Sequence, residues 1–510
     1  MDTGAGAPCG RGVEMRIRAF SGLWLLLGLL AFLWPAGAHA ATIQAASCNQ
    51  PDVNAAVTGA VDGDTVQIPA CSTTIWTVGI RFCKSLTIQG AGASLTSIAV
   101  NAGGGFWAVG NGCVGKTVRF TGMTVTNVLV GSFGLMNLAK CFGCTFRIDH
   151  NVFVGNISLS VPYRVAWIGG TATGVMDHNT ITNMGVMVEN QASGEADLSA
   201  GTASWKQPPS FGTANAFYFE DNTWNFPNHG ADMDCINGGR VVWRYNTFVG
   251  PNGAYSQTSP TGPFNHGYDS IPRSCRELDV HDNVITGGGY LGIQFRGGSG
   301  LVYNNLCAGR WDQGFCFGIT NYRDVSGSIG QAGNKYGNYC DGSQSVDGNT
   351  QPTATYAGWP CRDQIGRGTD VGIPGAQSAV PLYTWNNCIT ALGCTPGGAD
   401  AVDPHPYPSY GGTNYTPIHI VKDRDYYTPV ASFDGSSGVG SGPLAVRPAT
   451  CSVNPDTGKG PAYWATDTNT LYQCSAINTW TTYYKPFTYP HPLVGPPAVQ
   501  PPTNLSVVVS

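Results

Sequence analysis

Short runs of alternating apolar and polar residues dominate the chain, and almost no segment shows the 3.6-residue periodicity of an amphipathic helix. The segment from Gly239 to Tyr245 is typical, since β-branched and aromatic residues there lie between glycine and asparagine. Runs of this kind predict short strands that are joined by tight turns. The pattern therefore predicts an all-β protein.

One asparagine recurs after most of these runs, followed by two mostly apolar residues. Its shortest spacings are 22 residues, from Asn283 to Asn305, and 24 residues, from Asn222 to Asn246. A β-rich repeat of this length predicts a parallel β-helix, in which each rung stacks on the previous one at the strand spacing of about 4.8 Å. We expect each asparagine to adopt the left-handed turn conformation and to hydrogen-bond the asparagine of the next rung. The eight instances are Asn127, Asn151, Asn179, Asn222, Asn246, Asn283, Asn305 and Asn387.

The repeat also predicts the domain organisation. Residues 41–435 are assigned to the β-helix, with a short capping helix that begins near Asp52 and covers the first rung. Residues 308–380 lack the asparagine repeat and are interpreted as a long loop excursion. Residues 436–491 are interpreted as a small disulfide-bearing β segment, and residues 492–510 as a proline-rich linker and the start of a further domain.

Composition narrows the classes of protein. Charged residues make up 11% of the 510 residues, against about 25% in ordinary globular domains, and glycine accounts for 70. The formal net charge of −5 argues against a nucleic-acid partner, and the 42% hydrophobic content argues against disorder. Abundant turns and a narrow stacked core explain both the glycine and the scarcity of charge.

The first 40 residues form a predicted signal peptide. Arg16 and Arg18 precede an apolar run, and Ala38-His-Ala40 fits a cleavage site between small residues. We expect a secreted or cell-surface protein with no membrane span after cleavage, and a monomer. Of the 17 cysteines, Cys9 lies in the signal, and the remaining even number indicates disulfides. Pairing neighbours in sequence gives 48–71, 83–113, 141–144, 235–275, 307–316, 340–361, 388–394 and 451–474.

Two rungs carry a family resemblance. Ile148-Asp-His-Asn151 and Met176-Asp-His-Asn179 resemble rungs of the pectate-lyase-like right-handed parallel β-helix proteins. The order of residues 239–248, His266-Gly267, residues 292–300 and residues 302–305 is similar to that of the alginate lyase and chondroitinase B group. The resemblance implies a right-handed β-helix over about residues 45–400, in a secreted bacterial protein. Asn265 departs from the group, which has an arginine before its His-Gly.

A second pattern stands apart from the repeat. His229-Gly-x-Asp232 and His266-Gly-x-Asp269 each begin 17 residues before a repeat asparagine, at Asn246 and Asn283. If these rungs are consecutive and without a gap, His229 stacks on His266 and Asp232 on Asp269. Five arginines lie in the same or neighbouring rungs: Arg240, Arg244, Arg273, Arg276 and Arg296.

This cluster predicts chemistry on an acidic polysaccharide. β-Elimination needs a base, for which His266 and His229 are the candidates, and positive charge at the substrate carboxylate, for which Arg296 and Arg240 are the candidates. We expect Arg244, Arg273 and Arg276 to bind uronate carboxylates. Asp232 and Asp269 are the candidate ligands for Ca²⁺, the one cofactor that the sequence suggests.

The function predicted from the sequence is thus a polysaccharide lyase, with two alternatives. One is a non-catalytic carbohydrate-binding or cell-surface β-helix protein. The other is a glycoside hydrolase that uses the paired carboxylates as acid and base.

Overall fold

Three parallel sheets form the body of the protein. The structure, a computed structural model, describes residues 40–495 except for residues 102–106, 110–112, 129–133, 140, 157–162, 190–201, 228–232, 251–260, 266–272, 312–314, 321–362, 371–376, 390–403 and 407–419. The chain visits the sheets in a fixed order, which we call A, B and C, and each strand pairs with the equivalent strand of the next rung. This is the predicted right-handed parallel β-helix.

Sheet A contains twelve strands within the described residues. They are Thr42–Gln44, Thr65–Ile68, Thr87–Gly90, Thr117–Thr121, Thr145–Asp149, Thr173–Asp177, Phe217–Glu220, Arg240–Arg244, Glu277–His281, Ser299–Tyr303, Leu382–Trp385 and Tyr426–Tyr427.

Sheets B and C contain ten strands each over the same described ranges. Sheet B consists of Cys71–Trp76, Thr96–Val100, Thr124–Asn127, Val152–Val154, Thr180–Thr182, Thr223–Asn225, Thr247–Val249, Val284–Gly289, Leu306–Trp311 and Cys388–Ile389. Sheet C consists of Ile80–Phe82, Trp107–Val109, Met136–Leu138, Tyr163–Ile168, Met184–Glu189, Met233–Ile236, Phe264–Asn265, Ile293–Phe295, Phe317–Ile319 and His405–Pro406.

The core lies inside the three sheets and follows the two-residue period of the strands. In the strand Arg240–Arg244, the side chains of Val241 and Trp243 point into the core, while those of Arg240 and Arg244 lie on the outer face. The helix Gln50–Gly59 covers the first rung with Val53 and Val57, as the sequence predicts.

The asparagine ladder is present, with two corrections. Asn151 Nδ2 donates to Asn179 Oδ1 at 3.1 Å, and the same bond repeats through Asn222, Asn246, Asn283, Asn305 and Asn387. Asn127 is not part of it, because it ends a strand of sheet B and the backbone N–H of Met123 takes the ladder position below Asn151. The left-handed conformation belongs to the residue before each asparagine, such as His150 (φ 55°) and Asp282 (φ 56°). The ladder asparagine then uses its amide to bond neighbouring backbone groups.

The disulfide predictions are confirmed wherever both cysteines are described. The bonded pairs are Cys48–Cys71, Cys83–Cys113, Cys141–Cys144, Cys235–Cys275, Cys307–Cys316 and Cys451–Cys474. The predicted pairs 340–361 and 388–394 include residues outside the described part of the chain.

The predicted loop excursion, residues 308–380, needs correction at its start and in its internal structure. The excursion does not begin at residue 308, because Leu306–Trp311 and Phe317–Ile319 complete the rung in sheets B and C. Within residues 363–380, the strands Arg367–Asp370 and Gln377–Ala379 form an antiparallel pair, and Leu382–Trp385 then returns to sheet A. A two-stranded ladder of Cys113–Val114 and Cys141–Phe142 completes the minor elements of the β-helix. The predicted signal peptide lies outside the described residues.

A C-terminal module, residues 436–484, packs on the outer face of sheet A. Its sheet contains Val439–Gly442, Ala462–Ala465, Thr470–Ala476 and Thr479–Tyr484, and the two middle strands form an antiparallel hairpin. A 3₁₀ turn, Leu444–Val446, lies after the first strand. Trp464 and Tyr484 pack with Tyr303 and Trp385 of sheet A in one buried cluster.

The segment after the module is a strap, residues 485–495, that continues along sheet A. Phe487 and Leu493 pack against Tyr218 and Val242, and Arg147 donates to the carbonyl of Leu493 at 3.0 Å. The strap ends in a 3₁₀ turn, Pro492–Val494. Residues 492–495 are therefore packed against the β-helix and are not a free linker.

Candidate active-site cleft

Three of the predicted arginines gather around one small helix, Thr202–Trp205. Arg240 donates to the carbonyl of Ser204 at 2.8 Å, and Arg273 pairs with Asp363 through two hydrogen bonds of 2.8 and 2.9 Å. Arg273 and Arg276 lie 4.7 and 5.2 Å from the ring centre of Trp205. All three arginines are buried, and burial lowers the pKa of Arg276 to about 10. Their hydrogen bonds and ring contacts hold the helix and residues 363–370 on sheet A.

The other two predicted arginines lie elsewhere. Arg244 is four residues along its strand from Arg240, or about 13 Å, where it pairs with Glu220 at 2.7 Å. It also donates to the carbonyls of Phe487 and Thr488, so it anchors the strap. Arg296 follows a strand of sheet C and lies 4.5 Å from the ring centre of Phe264. The structure therefore does not bring the five arginines into one site.

His229, Asp232, His266 and Asp269 lie outside the described residues, but the register around them is defined. Sheet A pairs Arg240 with Glu277 and sheet B pairs Thr247 with Val284, an offset of 37 in both sheets. Sheet C pairs Asp234 with Phe264, an offset of only 30. The seven additional residues of the later rung therefore lie between its strand in sheet C and its strand in sheet A. Positions in or before sheet C that lie equally far from Asn246 and Asn283 are thus not aligned in the two rungs.

A cleft of about 450 Å³ opens where the turn between sheets A and B meets the C-terminal module and the strap. The β-helix and the module contribute facing walls. The lining residues are Arg244, Tyr245, His281, Asp282, Tyr303, Asn304, Trp464, Thr468, Asn469 and Lys485 to Tyr489. Aromatic rings, an imidazole, a carboxylate and an ammonium thus converge on one concave surface, which is the usual composition of a ligand site.

His281 and Asp282 form a pair at the base of this cleft. His281 Nδ1 lies 2.8 Å from Asp282 Oδ2, and Asp282 Oδ1 accepts a hydrogen bond from Asn304 Nδ2 at 3.1 Å. His281 Nε2 has no hydrogen-bond partner in the part of the chain that the structure describes. Burial lowers the pKa of His281, and the neighbouring carboxylate opposes that shift only in part. The imidazole is therefore neutral near pH 7, with its Nε2 lone pair unused when Nδ1 carries the proton.

The register of sheet A explains how the pair is held. His281 aligns with Arg244 on one side and with Tyr303 on the other. Its ring stacks on Tyr303 at 4.6 Å with 6° between the planes, and Tyr303 stacks on Trp385 at 4.3 Å. Because Asp282 occupies the left-handed turn position, its carboxylate folds back onto the ring of the preceding residue. Stacking and turn geometry together fix the imidazole.

Two tyrosines and a lysine complete the cleft. Tyr245 is 39% exposed, and its ring lies 3.9 Å from that of Tyr489, which is 44% exposed. Burial and the charge of Asp282 raise the pKa of Tyr245 to about 12, so its phenol keeps its proton at neutral pH. Lys485 is exposed, and no hydrogen bond or ion pair of its ammonium is found with the described residues. The cleft therefore presents a base, a proton donor and a cation.

Sequence reasoning missed His281, although a signal for it exists. The earlier rungs read Asp-His-Asn at residues 149–151 and 177–179, whereas this rung reads His-Asp-Asn at residues 281–283. The inverted order moves the histidine from the turn position to the last position of the strand. Only the packing of residues about 200 positions later shows that this strand end lines a cleft.

A second cleft, of about 540 Å³, lies beside Arg240. Among the described residues that line it, Arg240 is the one with an ionisable side chain, and its guanidinium is bonded to Ser204 and to the carbonyl of Pro208. The other described lining residues are an alanine, two prolines and residues with hydroxyl or amide side chains. The described residues of this cleft offer no base, so we do not assign catalysis to it.

The paired carboxylates of the early rungs do not form a calcium site. Asp149 and Asp177 lie close together, with His150, but Arg119 binds both oxygens of Asp149 at 2.7 and 2.6 Å. Arg147 binds both oxygens of Asp177 at 3.0 and 2.9 Å. Ca²⁺ needs six to eight oxygen ligands, and these oxygens already accept charged hydrogen bonds.

Comparison with known proteins defines no family. No protein-family model matches the chain, and no curated protein sequence matches it. A solved structure, ORF18 of Geobacillus virus E2, aligns with a TM-score of 0.27 and 12% sequence identity, over 56% of this chain and 59% of that chain. This chain thus matches less than two thirds of the viral protein. In the described residues, no helix is both long enough and apolar enough to span a membrane. The strand topology itself places the chain among the right-handed parallel β-helix proteins.

Proposed function

We propose that the protein is an exported enzyme that cleaves a uronate-containing polysaccharide by β-elimination in the cleft beside the C-terminal module. The observation that carries this proposal is His281, a neutral imidazole that is oriented by Asp282 and lines a cleft with a phenol and a free ammonium. The parallel β-helix is compatible with action on polysaccharides. Six disulfides within the described residues support export.

The base of the reaction is His281. Its Nε2 accepts the proton from the sugar carbon next to the carboxylate, and Asp282 stabilises the imidazolium that forms. The aspartate also keeps the proton of the resting imidazole on Nδ1, so that the lone pair of Nε2 is available. A lowered pKa favours this role, because the histidine then stays unprotonated at neutral pH.

The other groups of the cleft complete the chemistry. Lys485 pairs with the uronate carboxylate and offsets the negative charge that builds up as the carbon loses its proton. As the bond from the β-carbon to the glycosidic oxygen breaks, the carbon–carbon double bond forms and Tyr245 donates its phenolic proton to the leaving oxygen. One proton reaches His281 and one leaves Tyr245, so solvent restores both groups before the next cycle.

Substrate binding is assigned to the exposed aromatic faces. Tyr245 and Tyr489 lie together at the cleft wall and offer apolar surface for a sugar ring, while Asn304 and Asn469 offer amide groups for its hydroxyls. This wall also suits a protein that binds polysaccharide without cleaving it. The non-catalytic alternative therefore shares the same wall, and it differs from the lyase in that it does not need His281 as a base or Tyr245 as a proton donor.

The test is an assay of the full chain on alginate, pectate and glycosaminoglycans, following the ultraviolet absorbance of the unsaturated uronate product. We expect turnover on at least one of these polymers, and its loss in His281→Ala with substrate binding retained. His405→Ala, which changes an exposed histidine of sheet C outside the cleft, is the matched control and keeps full activity.

Further variants separate the competing sites. If His266→Ala and Arg296→Ala abolish cleavage while His281→Ala does not, the reaction belongs to the cluster predicted from the sequence. If chelation abolishes cleavage and Ca²⁺ restores it, the reaction needs the calcium ion that the sequence predicts at Asp232 and Asp269. New reducing ends without ultraviolet absorbance would identify a hydrolase, and binding without cleavage would identify the non-catalytic protein.

A further inference from the structure

Two histidines form an exposed stacked pair away from the cleft. The rings of His150 and His178 lie 5.2 Å apart with 3° between their planes. Their side chains are 58% and 44% exposed. Sheet A aligns the preceding residues, Asp149 and Asp177, in adjacent rungs, so the backbone fixes the spacing of the pair.

Buried carboxylates orient both rings in the same way. His150 Nδ1 lies 2.8 Å from Asp149, and His178 Nδ1 lies 3.0 Å from Asp177. Each carboxylate is fully buried and is held by an arginine, Arg119 or Arg147. With Nδ1 committed to these bonds, both rings carry Nε2 at the free edge. No hydrogen bond to either Nε2 occurs within the described ranges.

From this arrangement we propose that His150 and His178 together bind one divalent transition-metal ion, of the kind represented by Zn²⁺, Ni²⁺ or Cu²⁺. Metal-binding histidines almost always donate their second ring nitrogen to a carboxylate or carbonyl, which is the arrangement of both residues here. Imidazole ligands suit these ions, whereas Ca²⁺ and Mg²⁺ require oxygen ligands. The site is independent of the proposed cleavage reaction.

The geometry requires both rings to turn, because parallel rings direct their in-plane Nε2 lone pairs in the same direction and not at one shared ion. Two nitrogens that bind a tetrahedral ion at 2.0–2.1 Å lie about 3.3 Å apart, so the parallel rings must lean toward each other. Their exposed edges allow this, and their Nδ1 bonds to the aspartates act as the pivots. Water molecules complete the coordination shell, because both carboxylates are already bound by the arginines.

The experiment is calorimetric titration of the full chain, without a histidine tag, with ZnCl₂ near pH 7.5. We expect one saturable site per chain. His150→Ala and His178→Ala should each weaken its affinity by at least about tenfold, as expected for the loss of groups that tune or form a metal site. His405→Ala is the matched control, because it removes another exposed histidine and should leave the affinity unchanged. Equal melting temperatures of the metal-free variants show that folding is retained.

X-ray absorption at the zinc edge gives a second measurement. Two imidazole nitrogens at about 2.0 Å would support the site, and a shell of oxygen atoms alone would overturn it. The proposal also fails if no zinc binds, or if both histidine variants bind zinc as tightly as the original chain.

Discussion

The turn between sheets A and B carries histidine–aspartate pairs in two regions of the molecule, and their order is opposite. At residues 149–150 and 177–178 the aspartate ends the strand and is buried, while the histidine occupies the exposed turn. At residues 281–282 the histidine ends the strand and is 2% exposed, while the aspartate occupies the turn. The same two side chains thus give outward imidazoles in one region and a buried, oriented imidazole in the other.

Coverage by the C-terminal residues accounts for the rest of the difference. In the early rungs, Arg119 neutralises a buried aspartate and remains 40% exposed. In the later rungs, Arg244 neutralises Glu220 and is almost fully buried under the strap. The position in the rung decides which group is buried, and the covering segment decides how far water is excluded from it.

The largest expected effect is on stability and comes from the covered region. Arg244→Ala should lower the free energy of unfolding by about 3–5 kcal/mol, because it leaves Glu220 buried without its cation and removes two bonds to the strap. Arg119→Ala is the matched change in the exposed region. It should cost about 1–2 kcal/mol, since Arg147 also lies 3.5 Å from Asp149. Urea denaturation measures both free energies of unfolding. Equal losses of stability in Arg244→Ala and Arg119→Ala would show that coverage by the strap does not matter.

The next effect concerns the aspartate of the cleft. Asp282→Asn should lower kcat/KM about tenfold or more, because the amide no longer stabilises the imidazolium of His281. Since the carboxylate raises the pKa of His281 against burial, its loss should move the acidic limb of the pH–rate profile to lower pH. Asp423→Asn is the control, as it changes an aspartate at a left-handed turn position that bonds the backbone N–H of Gly438 and does not line the cleft. An unmoved acidic limb would show that His281 is not the titrating base.

A third prediction concerns the pH dependence of stability that His491 of the strap contributes. Burial, together with the charges of Arg244 and Arg147, lowers the pKa of His491 to about 4, while the unfolded chain titrates near 6.5. The unfolded state therefore takes up the proton first as the pH falls, and about 1–3 kcal/mol of stability should be lost between pH 6.5 and 4. His491→Asn keeps an acceptor for the backbone N–H of Leu493 and should flatten this part of the curve. The check is the free energy of unfolding of the original chain and of His491→Asn, measured at several pH values. Identical slopes against pH for the two proteins would refute the prediction.

The smallest expected effect comes from the hydrogen bond that orients Asp282 in the cleft. Asn304→Ala removes one hydrogen bond to Asp282 in an exposed setting, so the expected loss in kcat/KM is about two- to tenfold. Asn469→Ala, on the opposite wall, changes an amide that lines the cleft but has no bond to Asp282. It should alter KM more than kcat. A larger effect of Asn469→Ala on kcat would place the reacting groups nearer the module.

The fold could be predicted from the sequence because its signals are local and repeated. Seven of the eight repeat asparagines, such as Asn246 and Asn283, form the ladder, and neighbouring cysteines pair in all six described cases. The assignment of Asn127 to the ladder is wrong, because Asn127 ends a strand of sheet B. An asparagine followed by apolar residues has the same sequence pattern at a strand end as at a turn.

The candidate site was harder to predict because it depends on distant parts of the chain. Arg240 and Arg244 look like free cations in the sequence, yet Ser204 and Phe487 occupy their donors. The spacing of 37 residues around His266 suggested aligned rungs, but insertions change the offset in sheet C alone. No local pattern in the sequence predicts the partners of these arginines or the changed offset in sheet C.

The strap has a further consequence for how the chain reaches its final form. Arg147 and Arg244 are bonded to backbone carbonyls that lie 346 and 243 residues later. Until residues 464–494 are synthesised and packed on it, the outer face of sheet A exposes Tyr218, Val242 and Tyr303 to water. The middle rungs are therefore completed only by residues from a distant part of the chain, and this uncovered surface is where a chaperone would be needed during folding.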